Sequence, residues 1–104
     1  MQKIKNMYEV KEFISSKSVY LPTYGYIFDR ESLLEVLKEL KHTGVYILGG
    51  DVLQKCKNGE FEYTYDSWYS DPKEASQKES LNRAIGYIKS YPSKDNIYFT
   101  LLWE

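Results

Sequence analysis

The sequence predicts an α+β fold: a small antiparallel or mixed sheet of about four strands, with helices packed mainly on one face. Three observations predict it. Leu33, Val36, Leu37 and Leu40, and later Leu81, Ala84, Ile85 and Ile88, recur at helical spacing. The stretch from Thr43 to Asp71 reads as three strands in succession, the last two joined by Asn58-Gly59. Asn-Gly between two β-runs is the strongest short hairpin signal. Near the chain end Ile97, Phe99, Leu101 and Trp103 alternate with Tyr98, Thr100 and Leu102, so both sides are largely apolar, as in a strand inside a sheet.

The elements follow in chain order. Asn6, with Glu9 three residues on, resembles a capping box. Met7, Val10, Phe13 and Ile14 then share one face of a helix that fades by Ser15 to Ser18. Val19 to Phe28 contains Pro22 and Gly25, which interrupt regular structure, among Tyr20, Tyr24, Tyr26 and Phe28. Two readings are open for it: a short edge strand at Tyr26-Ile27-Phe28, or a flap folded over the core. Asp29 caps the next helix, and Glu31 sits in its first turn, where the helix dipole favours an acid. Lys41 and His42 suit the negative end, and Gly44 terminates the helix.

Gly44-Val45-Tyr46-Ile47-Leu48 is an unbroken apolar run, suited to a strand buried on both faces. Gly49-Gly50-Asp51 is expected to bend the chain, and Val52 to Cys56 to resume as a second strand. Phe61, Tyr63 and Tyr65 alternate with Glu62, Thr64 and Asp66, the period of a half-buried strand. Ser67-Trp68-Tyr69-Ser70-Asp71 is then expected to leave the sheet. The following helix has two alternative starts, Asp71-Pro72-Lys73-Glu74 and Ser76-Gln77-Lys78-Glu79. Pro92 stops it. Ser93 to Asn96 is a polar turn, and the last strand is expected beside Gly44 to Leu48.

Composition bounds the function. The 104 residues make one domain with a single modest core. A net charge of -1 and a pI of about 5.9 argue against a nucleic-acid partner. The chain holds 11 Tyr, 4 Phe and 2 Trp, and Tyr suits half-wet strand faces and protein interfaces alike. The lone Cys56 excludes an intramolecular disulfide and Cys/His zinc ligation. The first ten residues lack the apolar run of a signal peptide, and no stretch approaches transmembrane length. A cytoplasmic protein with no membrane partner is expected.

Catalytic chemistry finds little support. There is no Gly-x-Ser-x-Gly and no phosphate loop. Cys56 falls mid-strand, and His42, the only histidine, reads as a solvated helix-end residue. Asp51, Asp66 and Asp71 are the exception. Converging at one end of the sheet, three carboxylates would bind Mg²⁺ or Ca²⁺, which defines an alternative class: a small metal-binding or metal-dependent enzyme domain. The plainer reading gives them separate jobs, with Asp51 closing a turn, Asp66 bonding loop backbone and Asp71 capping a helix. Trp68 also has two readings. Exposed beside Tyr69 it is an anchor for a protein partner; buried, it plugs the space between hairpin and helix. Self-association through Tyr20 to Phe28, or through the final strand as an edge, is a third class of behaviour.

The segments GVYILGGDVL and YTYDSWYSD, joined by the KNGE turn, resemble the immunity protein 40 family of bacterial polymorphic toxin systems. In that family a strand ending in Gly-Gly-Asp precedes a hairpin, and a Thr-Tyr-Asp-x-Trp-Tyr segment leads to a helix and a last apolar strand. Gly49, Gly50, Asp51, Thr64, Tyr65, Asp66, Trp68 and Tyr69 stand at those positions. The resemblance covers about two thirds of the chain. It implies a cytoplasmic, non-enzymatic protein without a cofactor, which binds and neutralises a cognate toxin domain. It leaves the binding face and the oligomeric state open. With it, Asp51, Asp66, Trp68, Tyr69 and Asp71 are the candidate partner-binding residues.

Overall fold

The computed structural model describes residues 6–92 and 96–104. Over these the chain runs α1 (Met7–Ser16), β1 (Val19–Leu21), β2 (Gly25–Asp29), α2 (Arg30–Glu39), a 3-10 turn (Leu40–His42), β3 (Ile47–Lys55), β4 (Phe61–Tyr69), α3 (Gln77–Ser90), β5 (Ile97–Thr100) and β6 (Leu102–Trp103). The class is α+β as the sequence predicts. Every strand pair is antiparallel, in the order β1-β2-β5-β3-β4, and β6 pairs with the start of β3.

The sheet among these residues has six strands rather than about four. The additional strands come from Val19 to Phe28, where the expected strand at Tyr26-Ile27-Phe28 forms within β2 but is interior rather than an edge. The whole segment is a hairpin, with Val19 opposite Ile27 and Leu21 opposite Gly25. Pro22 lies in the turn, and Gly25 leaves it at φ 79°, a left-handed angle that glycine adopts without steric cost. β1 is the edge. β2 is interior, because Phe28 pairs with Phe99 of β5. The final strand is interior too, between β2 and β3, with a break at Leu101.

Two expectations for the central stretch fail for one reason, close contact between strands. β3 continues through Gly49, Gly50 and Asp51 as one strand, with an irregularity in its pairing to β6 between Ile47 and Gly49. A Cβ on Gly50 would lie 2.2 Å from the Thr100 carbonyl oxygen and 2.6 Å from the Trp68 ring. A Cβ on Gly49, at φ 147°, would lie 2.2 Å from the Trp68 carbonyl oxygen. The glycines therefore permit close approach of neighbours rather than a turn. Upstream, strand structure begins only at Ile47, although Tyr46 and Glu104 exchange backbone hydrogen bonds of 2.9 and 3.0 Å. The last strand does lie beside this segment, with Ile47 opposite Trp103, but it also continues along Val52 to Gln54.

β4, likewise, does not leave the sheet at Ser67; it pairs with β3 as far as Tyr69. A bulge makes this possible. Between Asp51 and Leu53 β3 advances two residues, while β4 advances four, from Ser67 back to Tyr63. The two surplus residues, an even number, leave the alternation of β4 unchanged on either side of the bulge. Phe61, Tyr63 and Ser67 lie on one face with Leu53, Tyr65 between them stands in the bulge at φ 71°, and Trp68 takes the other face opposite Gly50.

That other, inner face carries the core. Val52, Phe28, Phe99, Ile47 and Trp68 pack with Val10 and Ile14 of α1, Leu33, Val36 and Leu37 of α2, and Leu81, Ala84 and Ile88 of α3. Full burial of side chains of this size contributes about 1.5–3 kcal/mol each. Met7, expected on the buried stripe of α1, is half exposed. The caps appear as predicted: Asn6 accepts from Glu9 N–H, and Asp29 from Ser32 N–H. α3 takes the second of its two starts, where Ser76 and Glu79 bond reciprocally. Arg30, at the start of α2, donates to the carbonyls of Ile88, Tyr91 and Pro92, which a helix end leaves without partners. It ties the end of α3 to α2. The polar turn expected at 93–96 lies outside the described residues except for Asn96, at φ 69°.

Candidate functional site

On the outer face, where none of the described helices packs, Ile27 and Leu53 are nonetheless fully buried. Leu53 is flanked across the sheet by Tyr63 on β4 and Tyr98 on β5. Phe61 meets Tyr98 edge-on at 5.1 Å, and Tyr24 meets Tyr63 edge-on at 5.0 Å. The abundant tyrosines thus replace a second helix layer. Tyr24 reaches over from the β1–β2 turn, and its hydroxyl donates to the Phe61 carbonyl at 2.7 Å. Burial, above all, holds its phenol above the usual pKa of 10.0.

Beside this cluster the outer face opens into a groove of about 410 Å³. Gly49, Gly50 and Thr100 lie along it, and Tyr24, Tyr63, Tyr69, Leu102, Asp51 and Ser67 line it. Asp51 and Ser67 are a cross-strand pair. The Asp51 N–H donates to Thr100 Oγ1 at 2.8 Å, which holds its backbone in place. The Asp51 carboxylate is exposed and has no hydrogen-bond or ion-pair partner among the described residues. Tyr69 is 66% exposed and Leu102 61%.

Next to the groove stands the β4 bulge. Thr64 Oγ1 donates to the Val52 carbonyl at 3.0 Å and accepts from Asp66 N–H at 3.2 Å. The Tyr91 hydroxyl, at the end of α3, donates to Asp66 Oδ2 at 2.7 Å. Burial first, and then this bond to a carboxylate, raise the Tyr91 pKa. Between these braced residues Tyr65 is held in left-handed backbone geometry with its side chain 93% exposed.

The five predicted site residues therefore separate. Asp51, Trp68 and Tyr69 all line the groove. Asp66 braces the bulge through Tyr91 rather than bonding loop backbone with its carboxylate. Trp68 is only 6% exposed and stacks on Tyr87 at 5.2 Å. Its ring follows the packing reading, and the residue forms part of the groove lining. Asp71 accepts from Lys73 N–H through its carboxylate and from Glu74 and Ala75 N–H through its carbonyl. It forms the turn before α3, while Ser76 is the cap. Asp51, Asp66 and Asp71 do not converge: no group of three or more His, Cys, Asp or Glu among the described residues is placed to hold a metal ion. The alternative metal-site reading loses its geometric basis. His42 is exposed at the end of the 3-10 turn, as expected.

Sequence reasoning missed Tyr24, Tyr63 and Leu102 as groove residues and Tyr65 as the most exposed aromatic. Tyr24 stood in the aromatic segment before Asp29, but nothing local showed that it would cross to β4. No local signal announced the bulge. A depression of about 490 Å³ between α2 and α3 is lined by Glu31, Glu35, Lys38, Lys41 and Lys89 around Leu34 and Ile85. Its charges are of both signs, the ordinary surface of two amphipathic helices.

A sequence model of the immunity protein 40 family matches residues 16–103. No curated protein and no solved structure gives a significant match.

Proposed function

The chain belongs to the immunity protein 40 family, and from that premise we propose that it is a non-enzymatic immunity protein that binds and neutralises a cognate bacterial toxin domain through the helix-free face of its sheet. One observation carries the choice of face: the outer face holds a groove and exposed aromatic side chains instead of a second helix layer. Tyrosine is enriched at protein interfaces because it offers large contact area with a polar tip at low entropic cost. The family match takes in every strand from β1 to β6.

In this reading Asp51 and Tyr69 touch the toxin directly, with Tyr63 and Tyr65 beside them. Asp66 acts by bracing the bulge, Trp68 by packing beneath β3, and Asp71 by setting the turn that follows β4. Binding either occludes the toxin active site or locks an inactive form, and needs no cofactor. The complex forms in the cytoplasm, where the toxin is made. No helix among the described residues is long and apolar enough to cross a membrane.

Co-expression tests the proposal. The product of the adjacent gene is produced in a susceptible bacterium with and without this chain. Growth should stop in the first case and recover in the second, and the two proteins should co-purify. Tyr69→Ala should weaken co-purification while leaving the fold intact. A neighbour that kills despite this chain, or that is harmless alone, would overturn the reading.

A further inference from the structure

If the outer face is covered by a protein partner, the groove must satisfy its own electrostatics. Asp51 is the one charged residue lining it among the described residues. Among the described residues its carboxylate has no partner, and no lysine or arginine lines the groove. Covering an unpaired carboxylate with apolar surface strips its water and returns nothing, a heavy penalty. The groove therefore disfavours an apolar plug despite its aromatic walls, and favours a cation.

The walls narrow the choice further. Tyr24 and Tyr63 stand nearly perpendicular, with 74° between ring planes, and Trp68 and Tyr69 add to the aromatic lining. Aromatic faces attract cations through the ring quadrupole. A guanidinium suits such a site better than an ammonium. It is planar and weakly hydrated, it stacks on aromatic rings, and it meets a carboxylate through two parallel hydrogen bonds.

We propose that this groove is a receptor for an arginine side chain of the toxin, with Asp51 as counter-ion and Tyr24, Tyr63 and Tyr69 as walls. The assignment rests on the toxin-binding reading for its biological partner, but the groove's chemistry is testable without any toxin. The probes are Nα-acetyl-arginine amide, the neutral isostere Nα-acetyl-citrulline amide, and the lysine and leucine analogues. Each is titrated into ¹⁵N-labelled protein while backbone amide shifts are followed.

The arginine probe should produce saturable shifts at Gly49, Gly50, Asp51 and Ser67, with millimolar dissociation constants of the order expected for one side chain. Citrulline and leucine analogues should bind at least about tenfold more weakly, the factor that separates charge-assisted from neutral pairing here. Lysine should fall between. Asp51→Asn should reduce arginine binding by a similar factor without disturbing the rest of the spectrum. Equal binding of citrulline, preferred binding of leucine, or no groove shifts with arginine would overturn the assignment. The citrulline comparison uses the unaltered protein, so it decides the matter even if the variant misfolds. Growth protection by a chain whose groove ignores arginine would sink this inference and leave the immunity reading standing. Selective arginine binding by a chain that fails to protect would do the reverse.

Discussion

Replacing Tyr65 should make the protein more stable, an unusual expectation for an aromatic residue in a strand. Tyr65 sits at φ 71°. For a residue with a Cβ, left-handed backbone costs roughly 1–2 kcal/mol. The side chain returns little, because it is 93% exposed. Some 7% of the area of about 200 Å² that a tyrosine can bury is worth only ~0.4 kcal/mol. The hydrogen bonds that hold the bulge belong to Thr64, Asp66 and Tyr91 and survive the substitution. Tyr65→Asn, which tolerates left-handed geometry, should therefore gain about 0.5–1 kcal/mol. Tyr65→Gly removes the strain fully but adds back roughly 0.4–1 kcal/mol of unfolded-state entropy. Its net effect lies between zero and the Asn value. Tyr65→Ala keeps the Cβ and should gain nothing. Urea unfolding at constant m-value measures the series, and a 1 kcal/mol gain would raise Tm by about 4–8 °C in a domain of this size. If the proposed toxin binding through this face holds, the same Asn variant should also protect less well, since strain kept at an exposed position points to a site retained for contact. A destabilised Asn variant, or an Ala variant as stable as Asn, would refute the strain argument.

Other consequences follow from the packing and the caps. Gly50→Ala should cost about 3 kcal/mol in chemical denaturation, at the upper end for overpacking. Trp68→Phe in the same chain should recover little, because the contact with the Thr100 carbonyl remains. Arg30→Ala should cost about 2–3 kcal/mol and expose the last turn of α3 to hydrogen exchange; Arg30→Lys should recover less than half, since an ammonium cannot span three carbonyls. Glu79 has its pKa lowered from 4.5, chiefly by the backbone N–H of Ser76. Its contribution is present in full above pH 4.5 and is lost as pH falls through the depressed folded value. Glu79→Gln, which keeps the capping geometry without the charge, should therefore differ from the unaltered protein at neutral pH and converge with it in acid, as read from urea midpoints across a pH series.

What the sequence determined alone is what short stretches encode. Asn6, Asp29 and Ser76 cap helices because a side-chain oxygen beside free N–H groups needs no distant partner. The stripes of α2 and α3, the Asn58-Gly59 hairpin and the apolar last strand are legible for the same reason: period and turn chemistry lie within a few residues. The family motifs were also readable, since they are contiguous text. Tertiary structure decided the rest. Gly49 and Gly50 looked like a bend, but they are glycines because Trp68 and Thr100, distant in sequence, crowd β3 from two sides. Trp68 became core rather than surface because Gly50 of β3, opposite it, leaves room for its ring and Tyr87 of α3 stacks on it. The groove exists because Tyr24 from the first hairpin, Asp51 from β3 and Tyr69 from β4 meet on one face. A strand's register fixes which face each side chain takes, and register is set by the partner strand, which no local window contains.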